Sequence, residues 1–348
     1  MRDLIYAIMT DRKIGAAYAP LKAILSIASF FYGIAIEIRK IFYKTGIFKA
    51  ESAPIKVISV GNLTLGGTGK TPFVINLAKM LKKDIRKDPS VLIRGYGWDE
   101  QAMLKKNLPD TPILVRPDRV DSAHKAVRLY GSSAAVLDDG FQYWELKRDL
   151  DIVLVDSRIP FGNGSLFPRG VLREPKSSLK RAHVVVFTKV DKRIVDLNAL
   201  RAELKAINPE LIFMEARHRP LYVYDMKIKT NADTAFLKNK NVVLLSSIGD
   251  PKYFKETVKG LGANVAASLI FKDHHDYNKK DIDNIVKVCA TRTFDFILTT
   301  EKDAVKLSRL GLSIANYTVM VLVVDMEITE GRENLIARLN SLYIRKSP

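Results

Sequence analysis

The chain contains one cysteine, Cys289, in 348 residues. A single thiol excludes a disulfide framework and a cysteine-clustered zinc site, and it fits a reducing compartment such as the cytosol. Histidine is also sparse, at five residues. There is no collagen-like period, low-complexity tract or internal repeat, which argues against a structural scaffold. Long hydrophobic runs are lacking too. Ala23 to Ile36 is free of charge for fourteen residues, short of the roughly 20 that a spanning helix needs. It begins late, with no small-residue cleavage pattern before the first strand, so a cleaved signal peptide is not expected.

Positive charge, by contrast, is abundant. Lys and Arg number 56 against 38 Asp and Glu, a formal net charge of +18. Such an excess suits nucleic acid, an anionic membrane surface or a phosphorylated substrate, and charge alone does not separate them. Lysines on solvated helix faces account for part of it. The balance of 47% hydrophobic and 27% charged residues is globular, and the length suggests two domains. Lys22, Arg39, Lys40, Lys44 and Lys49 flank the apolar run and would favour anionic headgroups. The run is therefore expected to form a helix lying in, or dipping into, a leaflet. A buried core helix is the other reading of so short a run.

After residue 50 short apolar strands alternate with helical segments. Strands are expected at Ile55–Val60, Ser90–Ile93, Pro112–Val115, Ala134–Asp139, Asp151–Asp156 and His183–Lys189, with a helix from Thr71 to Arg86. Such near-continuous apolar runs predict a mainly parallel sheet covered on both faces. Pro220–Thr230 alternates like an extended connector. A second strand–helix series follows, with strands at Asn241–Gly249, Asn264–Phe271, Phe294–Thr300 and Val319–Asp325. The fold class is thus α/β: a mainly parallel core over 51–218, a smaller α/β domain over 219–348, and a helical segment over 1–50.

The main chemical signal is Gly61-Asn-Leu-Thr-Leu-Gly-Gly-Thr-Gly-Lys70-Thr71-Pro72, between a strand and a helix. This is the setting a phosphate-binding P-loop requires, although Thr64 stands where the first consensus glycine would be. The amides of Gly66, Gly67, Thr68 and Gly69 can face phosphate oxygens at a helix N-terminus. Lys70 would reach the β- and γ-phosphates, and Thr71 would ligate Mg²⁺. Asp138 and Asp139 end an apolar strand, the place for a carboxylate that holds Mg²⁺ directly or through water. Asp156, ending the next strand, is less specific.

Other groups are more open in meaning. Asp99 and Glu100 follow the glycine-rich loop Arg94-Gly-Tyr-Gly-Trp98 and could accept a proton from an attacking hydroxyl, or be surface acids. Asp273-His274-His275-Asp276 reads as a metal site, an Asp–His pair or a plain turn. Arg116, Arg119, Arg169 and Arg173 lie in turn-rich segments, and guanidinium groups suit phosphate recognition. Thr188-Lys189-Val190-Asp191 resembles the guanine-reading NKxD motif, which keeps a GTP-driven switch as the alternative. The D-x-x-G switch is not met, because Leu137 occupies its aspartate position. A nucleic-acid-dependent ATPase would explain the charge, but no nucleic-acid module is recognisable.

Taken in order, GNLTLGGTGKTP, RGYG, RPDR, LDDGFQ, RDLDIVLVD, GNGSLFPRGVLREP, TKVD, DHH and TEKDAVKL resemble the tetraacyldisaccharide 4′-kinase family, from about Val57 to Leu307. The resemblance implies a membrane-associated P-loop kinase at the cytoplasmic face of the bacterial inner membrane. It implies transfer of the γ-phosphoryl of ATP, with Mg²⁺, to the 4′-hydroxyl of a tetraacylated glucosamine disaccharide 1-phosphate, giving lipid IVA. The implied partners are that glycolipid and an anionic membrane surface, with no nucleic acid and a monomeric protein. Gly66, Gly67, Thr68, Gly69, Lys70 and Thr71 would then hold the nucleotide, with Thr71 and Asp138 on the metal. Asp138 and Asp139 would serve the metal and acceptor-hydroxyl region. Asp99 would be the catalytic base, paired with His274 from the second domain when the domains close. Arg119, Gln142, Arg173 and Glu174 would contact substrate. Two residues depart from the family: Tyr143 replaces its common histidine after DDGFQ, and Gln101 its proline after Asp-Glu.

Overall fold

The computed structural model describes residues 7–11, 15–95, 97–191, 196–309, 314 and 317–344. Tyr96, within the RGYG segment, lies outside them. The chain divides into two compact units, each discontinuous in sequence. The first comprises Met1–Arg94, Asp110–Arg217 and Met326–Pro348, and the second Gly95–Pro109 and His218–Asp325. The expected division at 218/219 was contiguous, whereas these units, which also break after Arg217, are not. Residues 95–109 group with the C-terminal half, and the last helix groups with the first unit.

In the first unit, β1 (Lys56–Asn62), β2 (Pro89–Ile93), β3 (Ile113–Val115), β4 (Ala134–Asp138), β5 (Leu150–Asp156), β6 (Val184–Thr188) and the start of β7 (Ile212–Asp225) form a parallel sheet. Its order is β7-β6-β5-β1-β4-β2-β3. β1 is central, so the loop after it leaves the middle of the sheet at its carboxyl end, where such sheets bind ligands. Alternate strand residues enter two cores. Val57, Ala135 and Leu137 pack with Leu92 and Leu146, while Val153, Val155, Val185 and Phe187 pack with Phe141 and Leu172. That two-sided burial is why these strands read as apolar runs without polar alternation.

The second unit has its own parallel set, in the order β10 (Asn264–Ile270), β9 (Asn241–Ser246), β11 (Phe296–Thr300) and β12 (Val319–Glu330). The short β8 (Asn231–Asp233) runs antiparallel to the end of β7. Val242, Leu244 and Leu298 face one core with Phe254, and Val243, Leu245 and Ile297 face another with Ile285 and Cys289. Cys289 is buried there as a small apolar residue.

Helix α1 (Ala19–Lys44) is 26 residues long, about 39 Å at 1.5 Å per residue. It extends beyond the apolar run at both ends and is long and apolar enough to cross a membrane by length and composition, which corrects the expectation that the segment is too short. Its two sides differ. Ser29 is buried, its hydroxyl donating to the Leu166 carbonyl at 2.6 Å and accepting from the Arg169 amide at 2.8 Å. Tyr32 donates to the Arg173 carbonyl at 3.0 Å. Ile24, Ile27, Phe31, Ile34, Ile38 and Ile41, at helical spacing, are exposed. A buried core helix is excluded for this segment.

Candidate active site

Helix α2 (Lys70–Lys83) starts directly after the loop, with no side chain capping its first turn. Gly69 sits at φ 87°, a left-handed conformation that turns the chain into the helix at little cost without a Cβ. The free amides of this turn form an anion-binding end. Thr68 is buried, and among the described residues its hydroxyl has no hydrogen-bond partner. A polar group orphaned at this position suits a ligand oxygen.

The Lys70 ammonium lies 3.3 Å from Asn62 Oδ1 and 3.4 Å from Asp139 Oδ1. Asn62 is fully buried at the end of β1, and its amide also donates to the Thr64 carbonyl at 2.8 Å. One side chain therefore ties the strand, the loop and the lysine together. It was not singled out from the sequence, although an asparagine between a strand-ending glycine and a phosphate loop was the available signal.

β4 delivers the two carboxylates to the same place. The Thr71 hydroxyl donates to Asp138 Oδ2 at 3.2 Å. Asp139 adopts φ 54°, an uncommon conformation for a residue with a side chain. Three cations hold it there. Arg173 Nη1 donates to both carboxylate oxygens at 3.0 and 2.9 Å, Lys70 approaches from the loop, and Arg119 Nη1 donates to the Asp139 carbonyl at 3.1 Å. Burial alone would raise the Asp139 carboxyl, but Lys70, Arg173 and Arg119 outweigh it and hold the pKa at about 2. Backbone strain at a cation-ringed acid is a mark of a functional position.

The other expected contacts sort unevenly. Arg119 is buried, with its amide bonded to the Tyr143 hydroxyl at 3.1 Å and its guanidinium over that ring, so Tyr143 shapes the arginine's seat. Gln142 donates to the Asn62 carbonyl at 3.0 Å, and its Oε1 is buried without a partner among the described residues. Glu174 is buried, with both oxygens held by Arg181 at 2.8 and 2.9 Å. That carboxylate is paired within the protein through Arg181. Arg169 instead binds Asp11 and the Ile8 carbonyl, and Arg116 pairs with Asp121. The Thr-Lys-Val-Asp segment has its lysine committed. Lys189 is buried and bonds Asp156 at 2.7 Å.

The second unit carries a separate cluster. Directly after the glycine-rich segment lies helix α3 (Trp98–Asn107), with Asp99 and Glu100 in its first turn. Asp99 is only 2% exposed and is no surface acid. His274 Nδ1 lies 3.4 Å from Asp99 Oδ2, so the pair forms inside one unit without any domain movement. Gly97 makes room for it, since a Cβ there would stand 2.7 Å from Asp99 Oδ1 and 3.4 Å from His274 Cε1. His275 turns elsewhere, to Asp281 at 2.9 Å and onto the Phe271 ring.

Two lysines complete the cluster. Helix α8 (Glu301–Arg309) brings Lys306 Nζ to 3.1 Å and Lys302 Nζ to 3.7 Å from Asp99 Oδ2. Burial pushes the Asp99 carboxyl up, but the adjacent His274 and both lysines hold it well below the usual carboxylate range. The His274 imidazole is raised, chiefly by the Asp99 carboxylate beside it. Neither lysine was singled out from the sequence. Their i, i+4 spacing in TEKDAVKL, directly after a strand, puts both on one helix face. No group of three or more His, Cys, Asp or Glu side chains suited to a metal occurs among the described residues.

The family model for tetraacyldisaccharide-1-P 4′-kinase matches residues 21–343. The tetraacyldisaccharide 4′-kinase of Halothermothrix orenii is 34% identical over 339 residues, covering 88% of each chain. That of Anaeromyxobacter dehalogenans is 35% identical over 331 residues, covering 88% of this chain and 86% of its own. The crystal structure of Aquifex aeolicus LpxK, an "apo" form in complex with ATP, superposes with a TM-score of 0.70 at 26% identity, over 93% of this chain and all of that one. The phosphate loop, the paired acids and the similarity along nearly the whole chain lead to one assignment: the chain belongs to the tetraacyldisaccharide-1-P 4′-kinase family.

Proposed function

We propose that this chain transfers the γ-phosphoryl of ATP to the 4′-hydroxyl of a tetraacyl glucosamine disaccharide 1-phosphate, forming lipid IVA at the cytoplasmic face of the bacterial inner membrane. The observation that carries the reading is the uncapped α2 N-terminus behind Gly69, with Lys70 seated against Asp139, in a chain of this family. Lys70 exchanges Asp139 for the β- and γ-phosphates when nucleotide binds, and the loop amides hold the phosphate oxygens. Arg173 and Arg119 keep Asp139 in place after Lys70 leaves it.

Thr71 and Asp138 set two hard oxygen donors 3.2 Å apart beside the phosphate site. That suits Mg²⁺, which binds through one or two protein oxygens plus phosphates and water. These two residues would hold it, and it would neutralise charge on the phosphates. The Asp99–His274 pair receives the proton of the attacking sugar hydroxyl. The exposed apolar face of α1 seats the enzyme in the leaflet where an acylated substrate resides, with basic residues on anionic headgroups.

The test is transfer of labelled γ-phosphate from ATP to detergent-dispersed disaccharide 1-phosphate. Wild type is expected to give a labelled bisphosphorylated glycolipid, and folded Lys70→Ala and Asp99→Ala almost none. ATP hydrolysis without labelled lipid would overturn the acceptor. Near-wild-type rates in the variants would overturn the two roles.

A further inference from the structure

Lysine is a poor resident of a protein interior. Lys306 nevertheless keeps only 2% of its side chain exposed, and so does Asp99. A buried ion pair contributes little net stability, because the desolvation of both charges offsets their attraction. Its presence here calls for another reason, and the hydrogen bonds around Lys306 supply one.

The ammonium donates to Ser247 Oγ at 2.8 Å. Ser247 in turn donates to Asp303 Oδ1 through both its hydroxyl and its amide, the latter at 3.0 Å. Asp303, fully buried, also accepts from the Tyr277 hydroxyl at 3.1 Å and the Thr300 hydroxyl at 2.7 Å. The loop after β9, the end of β11, α8 and the segment before α7 (Lys279–Ala290) all contribute to this network. A lysine anchored from so many elements has one fixed place for its charge. That place is the face of Asp99 Oδ2 that also meets His274.

We propose that Lys306 is a positioning residue for the phosphoryl transfer: anchored through Ser247 to Asp303, it fixes the Asp99 carboxylate against His274. The inference rests on the proton-accepting role proposed above for the Asp99–His274 pair. Lys302 has a different part. It is more exposed, lies 3.3 Å from His274 Nε2 and 3.7 Å from Asp99, and also reaches Glu100 and Asp273. The charged groups facing His274 are thus Asp99 and Glu100 from α3, Lys302 from α8 and Asp273 from its own loop. Lys306 acts on the imidazole only through Asp99.

This order makes opposite demands on one measurement. Removing a nearby cation without moving Asp99 would leave the His274 pKa unchanged or raise it. Removing the group that holds Asp99 in place lowers it toward the free imidazole value near 6.5. The full chain with isotope-labelled histidine is titrated by NMR as wild type, Lys306→Met, Lys306→Arg and Asp99→Asn, with steady-state kinetics on the same proteins. Lys306→Met is expected to lower the His274 pKa toward that of Asp99→Asn and to cut kcat about 10- to 100-fold, with KM within about threefold. Lys306→Arg keeps the charge and most of both. In the Asp99→Asn background, Lys306→Met costs less than about twofold more, since its effect runs through Asp99.

If Lys306→Met does not fold, Ser247→Ala releases the ammonium from its tether and leaves Asp303 its other donors. It is expected to lower the His274 pKa in the same direction, and no change in it would overturn the anchoring. A folded Lys306→Met with an unchanged or raised His274 pKa, or an additive loss in the double variant, overturns the proposal. Wild-type rates in Asp99→Asn would instead defeat the proton-accepting role of the pair, and the titration would still decide whether Lys306 orders Asp99.

Discussion

Asn62→Ala separates two interactions that one side chain makes. The amide's bond to the Thr64 carbonyl is neutral and contributes about 1 kcal/mol. The contact of Oδ1 with the Lys70 ammonium is charge-assisted, about 1.5–3 kcal/mol. The lower end applies, because Asp139 shares the same ammonium. Unfolding of the ligand-free protein in urea should therefore lose about 2–3 kcal/mol. Nucleotide affinity should not fall with it. Lys70 leaves Asn62 for the phosphates on binding, so the complex loses only the Thr64 tether, about 1 kcal/mol. The difference of about 1.5 kcal/mol between free and bound protein corresponds to a roughly tenfold lower ATP Kd. Urea denaturation and calorimetric ATP titration of the same preparation read the two quantities. A stability loss below about 1 kcal/mol, or any loss of ATP affinity, would refute the partition.

Arg181→Met should destabilise by about 3–5 kcal/mol in urea because Glu174 is left buried and unpaired, and adding Glu174→Gln should recover most of it. A double variant no better than the single would show that Arg181 acts through its packing on Phe141 instead. Asp139 and Asp99 are both depressed, so the stability they contribute is present above about pH 4 and is lost as pH falls through their folded values, about 2 for Asp139. Lys70→Met should move the acid unfolding midpoint upward, and an unmoved midpoint in circular dichroism would contradict the pairing. Phe31→Asp, on the open side of α1, should weaken sedimentation with anionic vesicles by about tenfold or more without altering the unfolding curve. Equal vesicle binding would remove this face from the membrane contact.

Much of the architecture was legible from pattern alone. β2, β4, β5 and β6 lie within a residue or two of the apolar runs that announced them, because a strand buried on both faces needs no polar alternation. α3 was missed for a physical reason as well. Gly95 and Gly97 mark a loop locally, and Trp98 to Asn107 carries no strong apolar stripe. The helix is held by packing on α8, which lies some two hundred residues away in sequence. The length of α1 was underestimated because its ends are basic. A docked helix with one open side tolerates charges that a lone apolar run would not.

What the sequence determined by itself is everything set by neighbours along the chain: the strand–loop–helix of the phosphate site, the acids at the end of β4, the α/β class and the family. Tertiary structure alone decided how charges are shared. Glu174 and Lys189, which lie in motifs suggestive of ligand binding, are bound to Arg181 and Asp156, whereas Lys306, silent in the sequence, stands against Asp99. A charge in a folded protein takes its role from the partner within a few ångströms and from the water excluded around it. Both depend on residues distant in sequence, and no local pattern records them.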